Sequence, residues 1–275
     1  MDFFENKRSS VKPVFINAHC HLELTNLAGK MPKNKPFFEW LAALRKEVEN
    51  WTIKDYRASY IKGLELARNA NTGIIYDVGN QMSEPELKDE QDYSQLIISM
   101  REIIKQPLPF PCTPHSIYAT PPSLVKQAVK SCVEAKIPWS IHLAEFDDSD
   151  RFCDFLEIFK KEPELVKNGF IVHGNFLTEK DLAFMAKNNI ALVFCPQSHE
   201  WFGHRDPDFE MWKSSGVDIC IATDSLASAD SLDLMEQIKT LFRRYPKAFT
   251  YKEALAAITT VPGKYLKSHS FSLLN

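Results

Sequence analysis

No two of the six cysteines in this 275-residue sequence stand in a Cys-x-x-Cys arrangement, so neither a metal knuckle nor a dithiol redox motif is encoded. They are scattered at positions 20, 112, 132, 153, 195 and 220, mostly in apolar runs. That usage suits reduced, buried thiols and a cytoplasmic protein. No apolar run approaches the roughly 18 residues of a membrane helix. The first ten residues are polar and charged, which predicts a flexible N-terminus rather than a secretory signal. Basic and acidic residues nearly balance, at 33 against 36, and no basic stripe is present. Nucleic acid and anionic membrane are therefore not expected partners. Internal repeats, low-complexity segments and linkers are also lacking, so residues 1–275 read as a single domain.

What is present is an alternation of two hydrophobic periods. Short runs rich in Val, Ile or Phe fall at 14–18, 73–78, 137–142, 168–172, 190–195 and 217–222, as strands covered on both faces require. Helical stripes lie between them, at 54–69, 123–135, 178–187 and 232–242. Pro122-Ser123 and Thr178-Glu-Lys-Asp181 have the chemistry of helix starts. Such alternation implies parallel strands with right-handed crossovers. The count approaches eight, so the expected fold is α/β, a (β/α)8 TIM-like barrel. One stretch is irregular. Residues 96–104 read equally as strand three or as part of a helix starting near Asp92. Lys105 to Cys112 is too short and too rich in proline for the crossover helix that should follow. The barrel is expected to be distorted there, with that helix lost or very short.

The strand ends carry the chemistry. Val14 to Leu24 begins apolar and ends in His19-Cys20-His21. Side chains two apart on a strand share a face, with α-carbons about 6.6 Å apart, so two imidazoles can close on one cation while Cys20 points away. Further along, His142, His173 and Asp224 each end an apolar run. In a barrel all strand C-termini meet at one rim, where active sites form. Five residues spread over about 200 positions would then converge as a metal site. Nitrogen and oxygen donors suit zinc or ferrous iron, so the expected cofactor is one divalent ion, Zn2+ or Fe2+. Glu145, just past its strand end, is placed to shuttle protons. Asp224 can touch the metal and accept a proton. His173 can ligate or hydrogen-bond, and the residues leave that open.

With these residues in view, the chain resembles the metal-dependent amidohydrolase superfamily. The matching pieces are Asn17-Ala-His-Cys-His-Leu-Glu23, Pro114-His-Ser-Ile-Tyr118, His142-Leu-Ala-Glu145, Val172-His-Gly174, Cys195-Pro-Gln-Ser-His199 and Ala222-Thr-Asp-Ser-Leu-Ala-Ser228. They point to the branch with the cytosine, adenosylhomocysteine and aminofutalosine deaminases. That resemblance implies one metal held by His19, His21, His142 and Asp224, with Glu145 as proton shuttle and His173 polarising the water. The binuclear branches use a modified lysine near the end of strand four. Residues 111–115 hold none, which implies one metal. The implied reaction is hydrolytic deamination of an amino-substituted heterocycle, in which Glu145 protonates a ring nitrogen and then helps the amine leave as ammonia.

The run Cys195 to His204 is similar to aminofutalosine deaminases, enzymes of an alternative menaquinone pathway. Glu23 and the Asp224-Ser-Leu-Ala-Ser228 run agree with that. The resemblance implies His115, Glu23, Ser198 and His199 as substrate contacts, and Trp40 and Trp201, with Phe37 and Phe202, as aromatic walls. The chain departs from the family pattern in three places. About ten residues precede strand one, so the accessory β-sandwich is expected to be absent, leaving a barrel face that a second subunit could cover in a homodimer. The loops before His115 and His173 are short. Gln197 stands where the family often has arginine, which removes a charge partner for a carboxylate or phosphate. Rival readings are a deaminase of adenosylhomocysteine or methylthioadenosine, of guanine or of a cytosine-type base, a related chlorohydrolase, or a non-catalytic metal-binding barrel. A cytidine-type zinc deaminase would need His-x-Glu with Pro-Cys-x-x-Cys, and neither is here.

Overall fold

A computed structural model describes residues 14–80, 96–105, 112–147 and 152–266. The expected flexible N-terminus, the possible helix start at Asp92 and most of the proline-rich stretch lie outside these residues. Among the described residues eight parallel strands form the interior: β1 Phe15–Cys20, β2 Thr72–Gly79, β3 Leu96–Ile103, β4 Cys112–Pro114, β5 Trp139–Leu143, β6 Gly169–His173, β7 Ile190–Phe194 and β8 Ile219–Ile221. Residues 96–103 are strand, not helix. They pair with β2 from Ile74↔Leu96 to Gly79↔Arg101, a pairing that the alternative helix could not make. β5, β6 and β7 are wholly buried, which is why the sequence shows continuous apolar runs there rather than alternation.

The strands fall into two four-stranded sheets, β1 to β4 and β5 to β8. They meet at two seams, and each seam is stitched by an isolated bridge, Ser116↔His142 at one and Cys20↔Asp224 at the other. The His142 amide donates to the His115 carbonyl at 2.9 Å, and the Asp224 amide donates to the His19 carbonyl at 3.2 Å. The ring of strands therefore closes through backbone of the predicted metal residues. Asn17 ties the second seam further, donating from Nδ2 to Thr223 Oγ1 at 2.7 Å and accepting from the Thr223 amide at 3.2 Å.

The helices are α1 Phe37–Val48, α2 Ile53–Asn69, α3 Pro122–Glu134, α4 Phe152–Ile158, α5 Glu179–Lys187, α6 Pro196–Phe202, α7 Phe209–Ser214, α8 Leu234–Arg244, α9 Tyr251–Ala256 and α10 Thr260–Leu266. Their starts are chemically specified. Capping boxes pair Thr52 with Asp55, Thr178 with Asp181 and Thr250 with Glu253, satisfying amides that the first turn leaves open. Pro122 opens α3, where its missing N–H costs nothing. Tyr60, Leu64 and Ala67 form the buried stripe of α2. No helix among the described residues is long and apolar enough to cross a membrane.

Candidate active site

β1 ends one residue earlier than its histidine pair requires. Cys20 closes the strand and His21 begins a 3-10 turn, Leu22–Leu27, because the Leu22 amide is captured by Asp77 Oδ1 at 2.9 Å. The two rings still meet, edge to face, with centroids 4.7 Å apart. Cys20 points the other way and donates its thiol to Asp77 Oδ1 at 3.9 Å.

His142 completes the cluster from β5. Its Nε2 lies 3.3 Å from Nε2 of His19 and 3.3 Å from Nε2 of His21. Asp224 Oδ1 lies 3.7 Å from the first of these nitrogens and 3.6 Å from the second. A tetrahedral site with bonds of about 2.0–2.1 Å has ligand–ligand edges of about 3.3–3.4 Å, so four donors at this spacing fit one small cation. The ring tautomers agree. His142 Nδ1 donates to the His115 carbonyl at 3.0 Å, leaving Nε2 with its lone pair. His21 bonds the Val78 backbone in the same sense. Lone pairs facing one another at 3.3 Å repel, and a cation between them removes the conflict. Burial holds the rings neutral: His21 and His173 are lowered to about 3, and His142 lies well below the usual range. Burial opposes ionisation of Asp224 too, but the adjoining His19 and His173 rings outweigh it and hold the carboxyl well below its usual value.

Asp224 is braced by two hydroxyls. Ser198 donates to its Oδ2 at 2.6 Å and Ser228 at 2.8 Å. His173 and Asp224 both adopt left-handed backbone, at φ 70° and 60°, and Ala144 does so at 52°. These strained positions sit where strands turn out of the barrel to present side chains.

Glu145, buried beyond the end of β5, places Oε1 3.6 Å from Nε2 of His173. Its backbone carbonyl accepts from Asn175 Nδ2 at 3.0 Å, and Asn175 Oδ1 faces Nδ1 of His199 at 3.0 Å. A neutral ring and a carboxyl side by side can pass a proton between substrate and leaving group.

One cavity of about 270 Å³ is lined by His21, His142, Glu145, His173 and Asp224. Of the six expected substrate contacts, His115, Glu23 and Trp40 line it. The other three are not among the residues that line it. Ser198, His199 and Trp201 lie on α6 with side chains turned into the supporting wall: Ser198 bonds Asp224, His199 bonds Asn175 and the Arg205 carbonyl, and Trp201 donates to the Pro32 carbonyl at 3.0 Å. Ser198 shares a helix face with Phe202 one turn on, but Asp224 holds its hydroxyl and it is Phe202 that lines the cavity. Burial lowers His115 to about 4. At the mouth Phe37 stacks on Phe146 with centroids 4.8 Å apart, and Trp40 meets Phe202 edge-on at 5.1 Å.

Two buried acids were missed. Asp77, near the end of β2, fixes the turn after His21. Glu102, on β3, lines the cavity, and its Oε1 approaches His142 Nδ1 to 3.4 Å. Burial raises its pKa well above the usual range. Both are acids inside apolar strands, a signal the sequence does carry. Glu102, His115 and His142 also approach one another. His142 Nδ1 is committed there to a carbonyl, so the trio does not form a second metal centre.

The amidohydrolase family model matches residues 10–274. A 5-methylthioadenosine/S-adenosylhomocysteine deaminase of Thermococcus sibiricus is 27% identical over 285 residues, covering 91% of this chain and 66% of the relative. One from Natronomonas pharaonis is 26% identical, covering 83% of this chain and 61% of its own. The chain thus spans under two thirds of the length of these curated relatives. Among solved structures, Helicobacter pylori aminofutalosine deaminase in complex with methylthio-coformycin superposes with a TM-score of 0.73 at 18% identity, over 93% of this chain and 74% of that one. Atrazine chlorohydrolase from Arthrobacter aurescens, complexed with zinc, gives 0.77 at 13% identity, over 93% and 71%. The chain belongs to the amidohydrolase family, on a barrel that these structures share.

Proposed function

We propose that the protein is a metal-dependent aminohydrolase that removes the exocyclic amine of an adenine-type nucleoside as ammonia. The observation that carries this is the Glu145–His173 pair, held at 3.6 Å in a cavity that His21, His142 and Asp224 also line, with His19 packed against His142 behind them. A structural metal site needs neither member of that pair. His19, His21, His142 and Asp224 would hold one divalent ion, zinc or ferrous iron. When bound, it supplies Lewis-acid activation of water and substrate.

The chain's own residues do the proton work. Glu145 takes a proton from the attacking water and delivers it to the ring nitrogen beside the amine-bearing carbon, then takes the proton of the new hydroxyl and passes it to the departing amine, which leaves as ammonia. The neutral His173 ring orients that carboxyl. His115, with Nδ1 3.0 Å from Ser116 Oγ, presents its other ring face to the bound heterocycle. The aromatic mouth excludes water and stacks the ring or its substituent.

Among adenine nucleosides, aminodeoxyfutalosine is the first candidate, which would place the protein in an alternative menaquinone route. The resemblance of residues 195–204 and the aromatic mouth support it. Methylthioadenosine and adenosylhomocysteine are the second candidate, supported by the names of the sequence relatives. Buried, unpaired thiols at Cys20, Cys112, Cys132, Cys195 and Cys220 suit a reducing cytoplasm.

The test is ammonia release by zinc- or iron-reconstituted protein over a panel. It contains aminodeoxyfutalosine, methylthioadenosine, adenosylhomocysteine, guanine, cytosine and a chlorotriazine. A nucleoside turned over with kcat/KM above about 10⁴ M⁻¹s⁻¹, an ordinary enzymatic value, supports the reading. Release only of chloride, or only from free bases, overturns it.

A further inference from the structure

Helix α1 lies over the cavity with a continuous stripe facing in. Phe37, Trp40, Leu41, Leu44, Arg45 and Val48 all line it, at the spacing of one helix face. Five of the six are apolar or aromatic. The sixth is Arg45, and among the described residues it is the only permanently cationic side chain lining that cavity. The other charged groups there are carboxyls: Glu23, Glu102, Glu145 and Asp224. Arg45 forms no ion pair or hydrogen bond with them or with any other described residue. The remaining cations of this helix and its approach behave differently. Lys35 pairs with Glu39 at 3.8 Å, and Lys46 lies outside the stripe.

A guanidinium in an apolar stripe needs a reason. Arginine can lay its methylene stem along Leu41 and Leu44 and still hold its head in water, as its exposure shows. The head then stands at the rim of a cavity that is otherwise aromatic and acidic. It offers a planar, paired-donor surface to an anion arriving there. Gln197 does not do this. Its side-chain carbonyl caps the Asp230 and Ser231 amides at 3.0 and 3.1 Å, outside the cavity.

We propose that Arg45 is a specificity-determining residue, which selects substrates carrying a carboxylate on the substituent that extends from the nucleoside toward the cavity mouth. This rests on the reading of the cavity as a nucleoside site. It adds that the preferred substrate is anionic, and that the anion is read from α1.

The test uses a matched pair, 5′-S-(3-carboxypropyl)-5′-thioadenosine and its neutral carboxamide, with metal-reconstituted protein. Both turnover and binding are measured, binding by calorimetry. The native protein is expected to prefer the carboxylate by about tenfold, a partly screened charge-assisted pair, with the preference shrinking as salt rises. In Arg45→Gln the carboxylate-to-carboxamide ratio in kcat/KM and in affinity falls toward one, through KM rather than kcat. Arg45→Lys keeps part of it. A native ratio near one, or a ratio unchanged in Arg45→Gln, overturns the proposal. Tight, carboxylate-selective binding without ammonia release would instead sustain Arg45 and sink the deaminase reading.

Discussion

The Ser198 hydroxyl lies 2.6 Å from Oδ2 of Asp224, while Oδ1 of the same carboxylate faces His19 and His21. One oxygen is thus anchored to the protein and the other is left for a cation. Ser228 adds a second donor at 2.8 Å. Groups that orient a metal ligand typically contribute 10–100-fold in metal affinity or activity. Ser198→Ala should therefore weaken metal binding by about tenfold, and Ser198→Ala/Ser228→Ala by more. Competition with a chelator reads the affinity, and ammonia release reads the activity. An unchanged metal affinity in the double variant would show that Asp224 is held by its backbone alone.

Glu145 carries a separate expectation. Its carboxylate touches His173, not the cluster nitrogens, so Glu145→Gln should keep the metal and the fold while losing the proton carrier. Turnover should fall by about 10²–10⁴, the usual contribution of a positioned acid or base. Metal content per chain, measured beside the rate, separates the two effects. Equal loss of both would mean that Glu145 supports the site rather than acting in it.

The ligand positions were legible because buried strands have no ordinary use for polar side chains. His19, His142, His173 and Asp224 each interrupt an apolar run at its C-terminal end, and a barrel can gather such ends. All six expected strands were placed to within two residues at their starts. β8 was read too long, since Ala222 already leaves the strand, with Thr223 held by Asn17 and Asp224 left-handed. The face of α6 was not legible. Ser198, His199 and Trp201 belong to a seven-residue helix whose rotation is set by packing, not by a hydrophobic stripe. Arg45 was invisible for the opposite reason. A cation in a helix reads as solvent surface until the structure shows a cavity beside it.

The neutral histidines set the acid stability of the metal-free protein. Unfolded histidine titrates near 6.5, whereas burial holds His21 and His173 to about 3 and His115 to about 4. Below pH about 6.5 the unfolded chain takes up protons that the folded protein refuses. The contribution of these rings is therefore flat above that value and falls as the pH drops toward 4, by at most about 1.4 kcal/mol per pH unit per ring, while Glu102, raised by burial, works in the opposite sense as pH rises above about 4.5. Carboxylates do not produce this early loss. The Thr250 cap lowers Glu253 to about 2, so its contribution is present above about 4.5 and lost only below that, as pH falls toward 2. Urea midpoints from pH 8 to 4.5, with chelator present, measure the slope. His115→Gln should make it shallower. A midpoint that holds steady down to pH 5 would mean that these rings are charged in the fold.

Gly174 tests how tightly the turn after His173 is specified. The two residues are consecutively left-handed, at φ 70° and 61°, and the Gly174 amide donates to the Leu143 carbonyl at 3.0 Å, fastening β6 to β5. A Cβ at Gly174 would collide with Leu192 and Leu177 as well as strain the backbone. Gly216 has a similar φ of 77° but nothing within 4 Å of a Cβ. Gly216→Ala should then cost about 1 kcal/mol, the left-handed strain alone. Gly174→Ala should cost about 2–4 kcal/mol, because overpacking adds to it. At roughly 2–4 °C per kcal/mol, melting temperatures separate the two variants. The rate adds a second criterion. Measured well below both transitions, Gly216→Ala should keep full turnover, since its turn lies before β8 and away from the cavity. Gly174→Ala should lose turnover beyond its loss of stability, because moving that turn moves the His173 ring against Glu145. Equal turnover in the two variants would show that β6 can shift without carrying His173 with it.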